Sequence, residues 1–156
     1  MRHWSNPEYR SILGPLNLGL HELGHFIFSF FGDFLGILGG TFFQVLAPLF
    51  GVVNFYRQSD FFAIALSFGW LSTSLFDVAT YVADARAMNL TLVSPFGGDD
   101  VVHDWNYLLT RMGLLQQDAL LAFIFKCAAT LAMLICLIGG FWLLLQMMKE
   151  SSSLQE

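Results

Sequence analysis

Residues 12–31 read ILGPLNLGLHELGHFIFSFF, an apolar stretch interrupted only by Asn17, His21, Glu22, His25 and Ser29 among its polar residues. A helix needs about 20 mostly apolar residues to cross a bilayer, so this stretch qualifies as a first span. Pro15 fits its first turn, where the missing N–H costs nothing. The polar residues are not scattered. Gly14, Asn17, His21, His25, Ser29 and Gly32 follow one helical face. Ionisable groups inside an apolar span are expensive and usually functional.

The rest of the chain extends this pattern. Hydrophobic residues make up 56% of the 156 and charged residues 12%, against about 25% charge in a soluble domain. A surface that poor in charge faces lipid. Three more spans are expected, over 41–56, 61–85 and 118–148, with the second kinked at Pro48. The glycines from Gly36 to Gly40 are expected to break the chain between the first two spans. The polar turn Arg57-Gln58-Ser59-Asp60 separates the second from the third.

Between the third and fourth spans lies a different stretch, with Pro95, Gly97, Gly98, Asp99 and Asp100 followed by His103-Asp104-Trp105-Asn106. It reads as a re-entrant or surface loop leading into a short helix near 107–112. The expected fold class is therefore all-α: a polytopic membrane bundle of about four transmembrane helices, forming one membrane-embedded domain over 1–156. The polar start, 1–10, precedes a stretch without a small-residue cleavage pattern, so a retained helix is expected rather than a removed leader.

Net charge is -5, without a basic run, so no nucleic-acid footprint exists. Arg2, Arg10, Arg57 and Lys149 fall on one side of the expected spans; Arg86 and Arg111 fall on the other. That bias predicts cytoplasmic termini. Cys127 and Cys136 sit nine apart on a helix and point apart, as packing residues. The oligomeric state is not legible.

The pattern His21-Glu22-Leu23-Gly24-His25 carries the chemistry. On a helix, residues i and i+4 share a face, so two imidazoles can grip one zinc ion. Glu22 lies beside them, placed to act as general base toward zinc-activated water. A catalytic zinc needs a third protein ligand and an open position. His103 is the expected third ligand, because imidazole suits zinc and Gly97-Gly98 would let its loop fold inward. Asp84, Asp77 and Asp104 are the alternatives, as ligands or as groups that orient one. The third span lines up Ser67, Trp70, Ser74, Asp77, Tyr81 and Asp84 at steps of three and four, a polar stripe that must face inward. Gln44, on a small and polar face with Gly40, Ala47, Gly51 and Asn54, is a weak candidate for substrate binding.

These residues resemble the site-2 protease family of intramembrane zinc metallopeptidases, in particular short bacterial members without accessory domains. The likeness rests on the motif, its setting in the first apolar helix, and the glycines at Gly39-Gly40, and covers about the first third of the chain. It implies zinc on His21 and His25, Glu22 as catalytic base, and a membrane protein or peptide as substrate. The family's third ligand is an aspartate in an Asn/Pro-containing motif that ends Asp-Gly. Here Tyr81-Val82-Ala83-Asp84 and His103-Asp104-Trp105 stand in its place. Two other functions share the same residues: a lipid amide or ester hydrolase, and a non-catalytic metal-stabilised subunit or pseudoprotease.

Overall fold

The computed structural model describes residues 11–90 and 102–153. Pro95, Gly97 and Gly98, with the loop path expected of them, lie outside the described residues, as do Arg2 and Arg10. Among the described residues the protein is helical, without strands. The helices are α1 (Gly14–Phe28), α2 (Asp33–Arg57), α3 (Phe61–Ala83), α4 (Asp104–Arg111) and α5 (Asp118–Ser153).

Among the described residues three helices are long and apolar enough to cross a membrane: α2, α3 and the segment Leu115–Glu150 that contains α5. The first expected span is not among them. Its α-helix, α1, has 15 residues, roughly 22 Å at 1.5 Å per residue, against a hydrocarbon core of about 30 Å. It ends in a 3-10 turn, Ser29–Phe31.

The break also moves. Gly32, at φ 91°, makes the turn, a left-handed conformation that costs glycine little. Gly36, Gly39 and Gly40 instead lie inside α2. Each costs helix propensity, about 1 kcal/mol relative to alanine. In return their missing side chains let α1 come close. A Cβ on Gly24 would run into the Gly39 carbonyl oxygen, and one on Gly39 would lie 2.8 Å from the Gly24 oxygen. Here the two backbones touch.

Helix α3 starts at Asp60, whose carboxylate accepts the Ala63 N–H at 2.9 Å, an N-cap. Its middle packs on α5 through Leu71, Leu75, Phe76, Ala129 and Ala132. Its end, with Val78 and Val82 and then Ala85 just beyond it, closes over Trp105, Leu108 and Leu109 of α4. Helix α4 is thereby wedged against the end of α3 rather than floating at the surface. Arg86 pairs with Asp118 at 2.7 Å and ties the end of α3 to the start of α5. That carboxylate pushes the Arg86 guanidinium further up from its ordinary value. Both cysteines are free.

The order across the bundle is α1, α2, α3, α5. The end of α1, the start of α2, the end of α3, all of α4 and the start of α5 gather at one end.

Candidate metal centre

Helix α1 presents His21 and His25 toward α2, where Gly40 leaves room for both rings. A Cβ there would lie 2.6 Å from His25 Nε2 and 2.8 Å from His21 Nε2. The rings meet edge to face, 4.6 Å between centroids.

Into the same space α4 brings Asp104. Its Oδ2 lies 2.8 Å from His21 Nε2 and 3.1 Å from His25 Nε2. The ligand atoms of His21, His25 and Asp104 all fall within 4.8 Å of one another. Two ligands about 2.0 Å from a tetrahedral zinc lie roughly 3.3 Å apart, so the set needs little movement to accept the ion.

His103, the expected third ligand, is not part of this group. Its ring is buried, but it faces elsewhere: Nε2 donates to Asp84 Oδ2 at 3.2 Å, and Nδ1 accepts the Asn106 N–H at 3.2 Å. His103 is the N-cap of α4, and it is its neighbour Asp104 that comes to the two rings. Asp84 accepts the N–H groups of Asn89 and Leu90 and the His103 ring. It shapes the turn that holds α4. Asp77 accepts from Asn17 Nδ2 at 2.6 Å, one helical turn away from His21, and joins no metal group.

Three bonds hold Asp104 in place. The Asp104 N–H donates to the Tyr81 hydroxyl at 3.1 Å. The Asn106 amide donates to the Ala85 carbonyl at 2.7 Å. His103 caps the helix and leans on Asp84. Tyr81 also stacks near the His103 ring, 4.5 Å between centroids.

Gln44, expected as a weak candidate for substrate binding, faces His21. Its Oε1 lies 3.1 Å from His21 Nδ1, and its amide nitrogen donates to the Ser74 carbonyl at 3.3 Å. The Ser74 contact fixes which end of the amide meets the imidazole, so Gln44 accepts and His21 Nδ1 carries the proton. On the other ring, His25 Nδ1 donates to the Gly36 carbonyl at 2.9 Å. A carbonyl only accepts, so that tautomer is set as well.

The consequence is chemical. With both Nδ1 atoms protonated, a neutral imidazole offers a bare lone pair at Nε2. Both lone pairs then point at a carboxylate oxygen. Lone pairs repel unless a cation stands among them. Protons on the imidazoles would supply that cation, and so would a divalent metal, with the same net charge on the group in either case. A divalent metal satisfies all three groups at once, with a partner on each distal nitrogen, as ligating histidines normally have. Nitrogen and oxygen donors in a set of three suit zinc with one open position.

Glu22 is half-buried and makes no hydrogen bond or ion pair among the described residues. Its charge reaches both His25 and Tyr81. Four buried polar atoms find no partner among the described residues: Ser11 Oγ, Ser72 Oγ, Thr41 Oγ1, next to Gly40 in sequence, and Trp105 Nε1, next to Asp104 in sequence. Unpaired buried groups are uncommon and are expected where water or a ligand enters.

No family model, curated protein or solved structure gives a match to the chain.

Proposed function

We propose that the protein is a multi-pass membrane zinc metallohydrolase, acting as a peptidase on membrane protein or peptide substrates, in the manner of the site-2 protease family. The observation that carries this reading is the convergence of two tautomer-locked Nε2 atoms on Asp104 Oδ2, with the unpartnered Glu22 carboxylate alongside.

His21, His25 and Asp104 hold the ion. When bound, zinc makes a nucleophile available from water at neutral pH and polarises a carbonyl oxygen. Glu22 takes the proton from the attacking water and passes it to the leaving nitrogen, the role of a general acid–base. The Tyr81 hydroxyl accepts the Asp104 N–H and thereby keeps its own proton for another acceptor. A carbonyl oxygen that gains charge during attack is such an acceptor. Gln44 and the Gly36 carbonyl keep the imidazoles in the ligating tautomer.

Lys and Arg counts orient the bundle. Arg57 and Lys149 belong to the end remote from the metal centre. That end is cytoplasmic in this reading, and the site faces the opposite side.

One competing reading draws on the same contacts. Direct N–O distances of 2.8 and 3.1 Å also suit a structural clamp of protonated histidines on Asp104. Metal analysis of the detergent-purified full chain separates the two. About one zinc per chain is expected in wild type, with near-complete loss in His21→Ala and in His25→Ala. Full occupancy in both variants, or none in wild type grown with zinc, overturns the metallohydrolase.

A further inference from the structure

The metal centre is assembled from two units. Helix α1, which carries His21 and His25, lies against α2 with backbone contact at Gly24 and Gly39. Gln44 and the Gly36 carbonyl of α2 meet the two rings from that side. Asp104 belongs to the other unit, where α4 packs on α3 through Val78, Val82, Leu108 and Leu109. The three ligand atoms converge only if the two units keep one register.

That register is demanding. Side chains reach about 5–6 Å from a helix axis, so a turn of about 10° about the axis of α1 swings both imidazoles by roughly 1 Å. A metal site holds its ligand distances to within about 0.2 Å. A glycine contact lets two helices approach closely, but it offers no side chain to interlock against rotation.

Asn17 bonds α1 directly to α3. It is 1% exposed and stands one helical turn before His21 on the same face. Its Nδ2 donates to Asp77 Oδ2 at 2.6 Å, and its Oδ1 accepts the Trp70 indole N–H at 2.9 Å. An indole N–H only donates. Trp70 therefore sets which way the amide points and leaves Nδ2 for Asp77. The two partners are about two turns apart on α3, roughly 10 Å along its axis. A side chain held from two such points can neither slide along α3 nor roll away from it without breaking a bond. Inside an apolar span a broken bond leaves polar groups short of a partner, with no water to replace it.

We propose that Asn17, held by Asp77 and Trp70, is the positioning residue that registers the histidine-bearing helix against the unit that carries Asp104. The proposal rests on the metal-binding reading above and adds how the two halves of the site are aligned. None of the three residues is a ligand.

The test reads zinc affinity of the detergent-purified full chain by chelator competition, and site geometry by the visible absorption of the cobalt(II)-loaded protein. Asn17→Leu removes both bonds. It should lower zinc affinity about 10- to 100-fold, the range for groups that orient ligands, and change the cobalt spectrum. Asp77→Asn keeps an oxygen to accept from Asn17 and should stay near wild type. Asn17→Asp sets two carboxylates face to face and should lose at least as much as Asn17→Leu. Asn17→Asp combined with Asp77→Asn restores both bonds with donor and acceptor exchanged, because one carboxylate oxygen takes the indole N–H and the other takes the introduced amide. That pair should recover most of the loss in affinity and the wild-type spectrum. Unchanged affinity and spectrum in Asn17→Leu overturn the proposal, and so does a double variant no better than Asn17→Asp alone.

A second readout needs no metal. Leu23 on α1 and Thr110 on α4 are both exposed. Spin labels attached through Leu23→Cys and Thr110→Cys, in a chain carrying Cys127→Ala and Cys136→Ala, report the separation of the two helices by pulsed electron resonance. The distance distribution should be narrow without further change and in the double variant, and broadened or shifted in Asn17→Leu. An unchanged distribution in Asn17→Leu overturns the proposal. If the wild-type chain holds no metal, the metallohydrolase reading falls, and this distance alone decides whether Asn17 sets the register.

Discussion

His21 Nε2 and Asp104 Oδ2 face each other at 2.8 Å across 83 residues of sequence, one from the first helix and one from the first turn of the shortest. Nothing local joins them. Their meeting depends on α4 being wedged against the end of α3, and it fixes which residue completes the candidate metal group. Asp104→Ala should therefore cost more zinc affinity than any orienting partner, beyond the roughly 100-fold ceiling for outer groups. His103→Asn keeps a capping side chain and should lose about 10-fold, by loosening the Asp84 contact. Competition against a chromogenic chelator measures both. A larger loss in His103→Asn than in Asp104→Ala would restore His103 to the third position.

The histidine pair and Glu22 were legible because helical spacing alone puts i and i+4 on one face. The membrane character was legible because lipid-facing composition leaves a signature at every position, Phe61, Leu131 and Phe141 being exposed examples. The third group was not. His103 and Asp104 are adjacent, and which of them faces α1 depends on the helix start, set by an N-cap and by contacts to Tyr81, Asp84 and Ala85. A chemical preference for imidazole favoured His103, whereas Asp104 is the one brought to the two rings. The glycines misled for a related reason. Gly36, Gly39 and Gly40 look like a break in one dimension, yet they serve close contact between helices, a property of two segments and not of one.

Gly40→Ala should empty the site while the helices remain. The added methyl would sit 2.6 Å from His25 Nε2 and 2.8 Å from His21 Nε2, too close for either ring to keep its place. Gly19→Ala is the control. Nothing lies within 4 Å of a Cβ there, and alanine raises helix propensity by about 1 kcal/mol. Circular dichroism should show both variants folded, with zinc lost only from the first. Retained zinc in Gly40→Ala would mean that the rings do not pack against α2 as described.

Gln44→Leu tests the tautomer. The substitution keeps the bulk but removes the acceptor for His21 Nδ1, so the proton is free to move to Nε2 and block the ligating lone pair. Zinc affinity should fall about 10- to 100-fold. Gln44→Glu restores an acceptor and should recover most of that loss. Equal affinities in wild type and Gln44→Leu would show that the proton position is set elsewhere.

Glu22→Gln separates chemistry from binding. Glutamine keeps the size of the side chain and loses the base. Zinc content should stay near wild type, while hydrolysis of a single-span peptide falls by about 100-fold or more, the usual contribution of a general base. Loss of zinc in this variant would make Glu22 a ligand instead.

Tyr81→Phe addresses the least conspicuous member of the site, a residue visible in sequence only as one step of the polar stripe on α3. Phenylalanine preserves the ring against His103 but removes the hydroxyl. Two effects then compete. Asp104 loses the acceptor of its N–H, a neutral bond worth about 1 kcal/mol, while Asn106 and the His103 cap continue to hold α4. Zinc affinity should thus drop less than 10-fold. The transition state loses a hydroxyl donor, and a single such donor can be worth about 100-fold or more in kcat. A large fall in kcat with KM and zinc nearly unchanged assigns the hydroxyl to the developing oxyanion. A fall in zinc affinity that accounts for the whole loss of activity would reduce Tyr81 to a strut for Asp104.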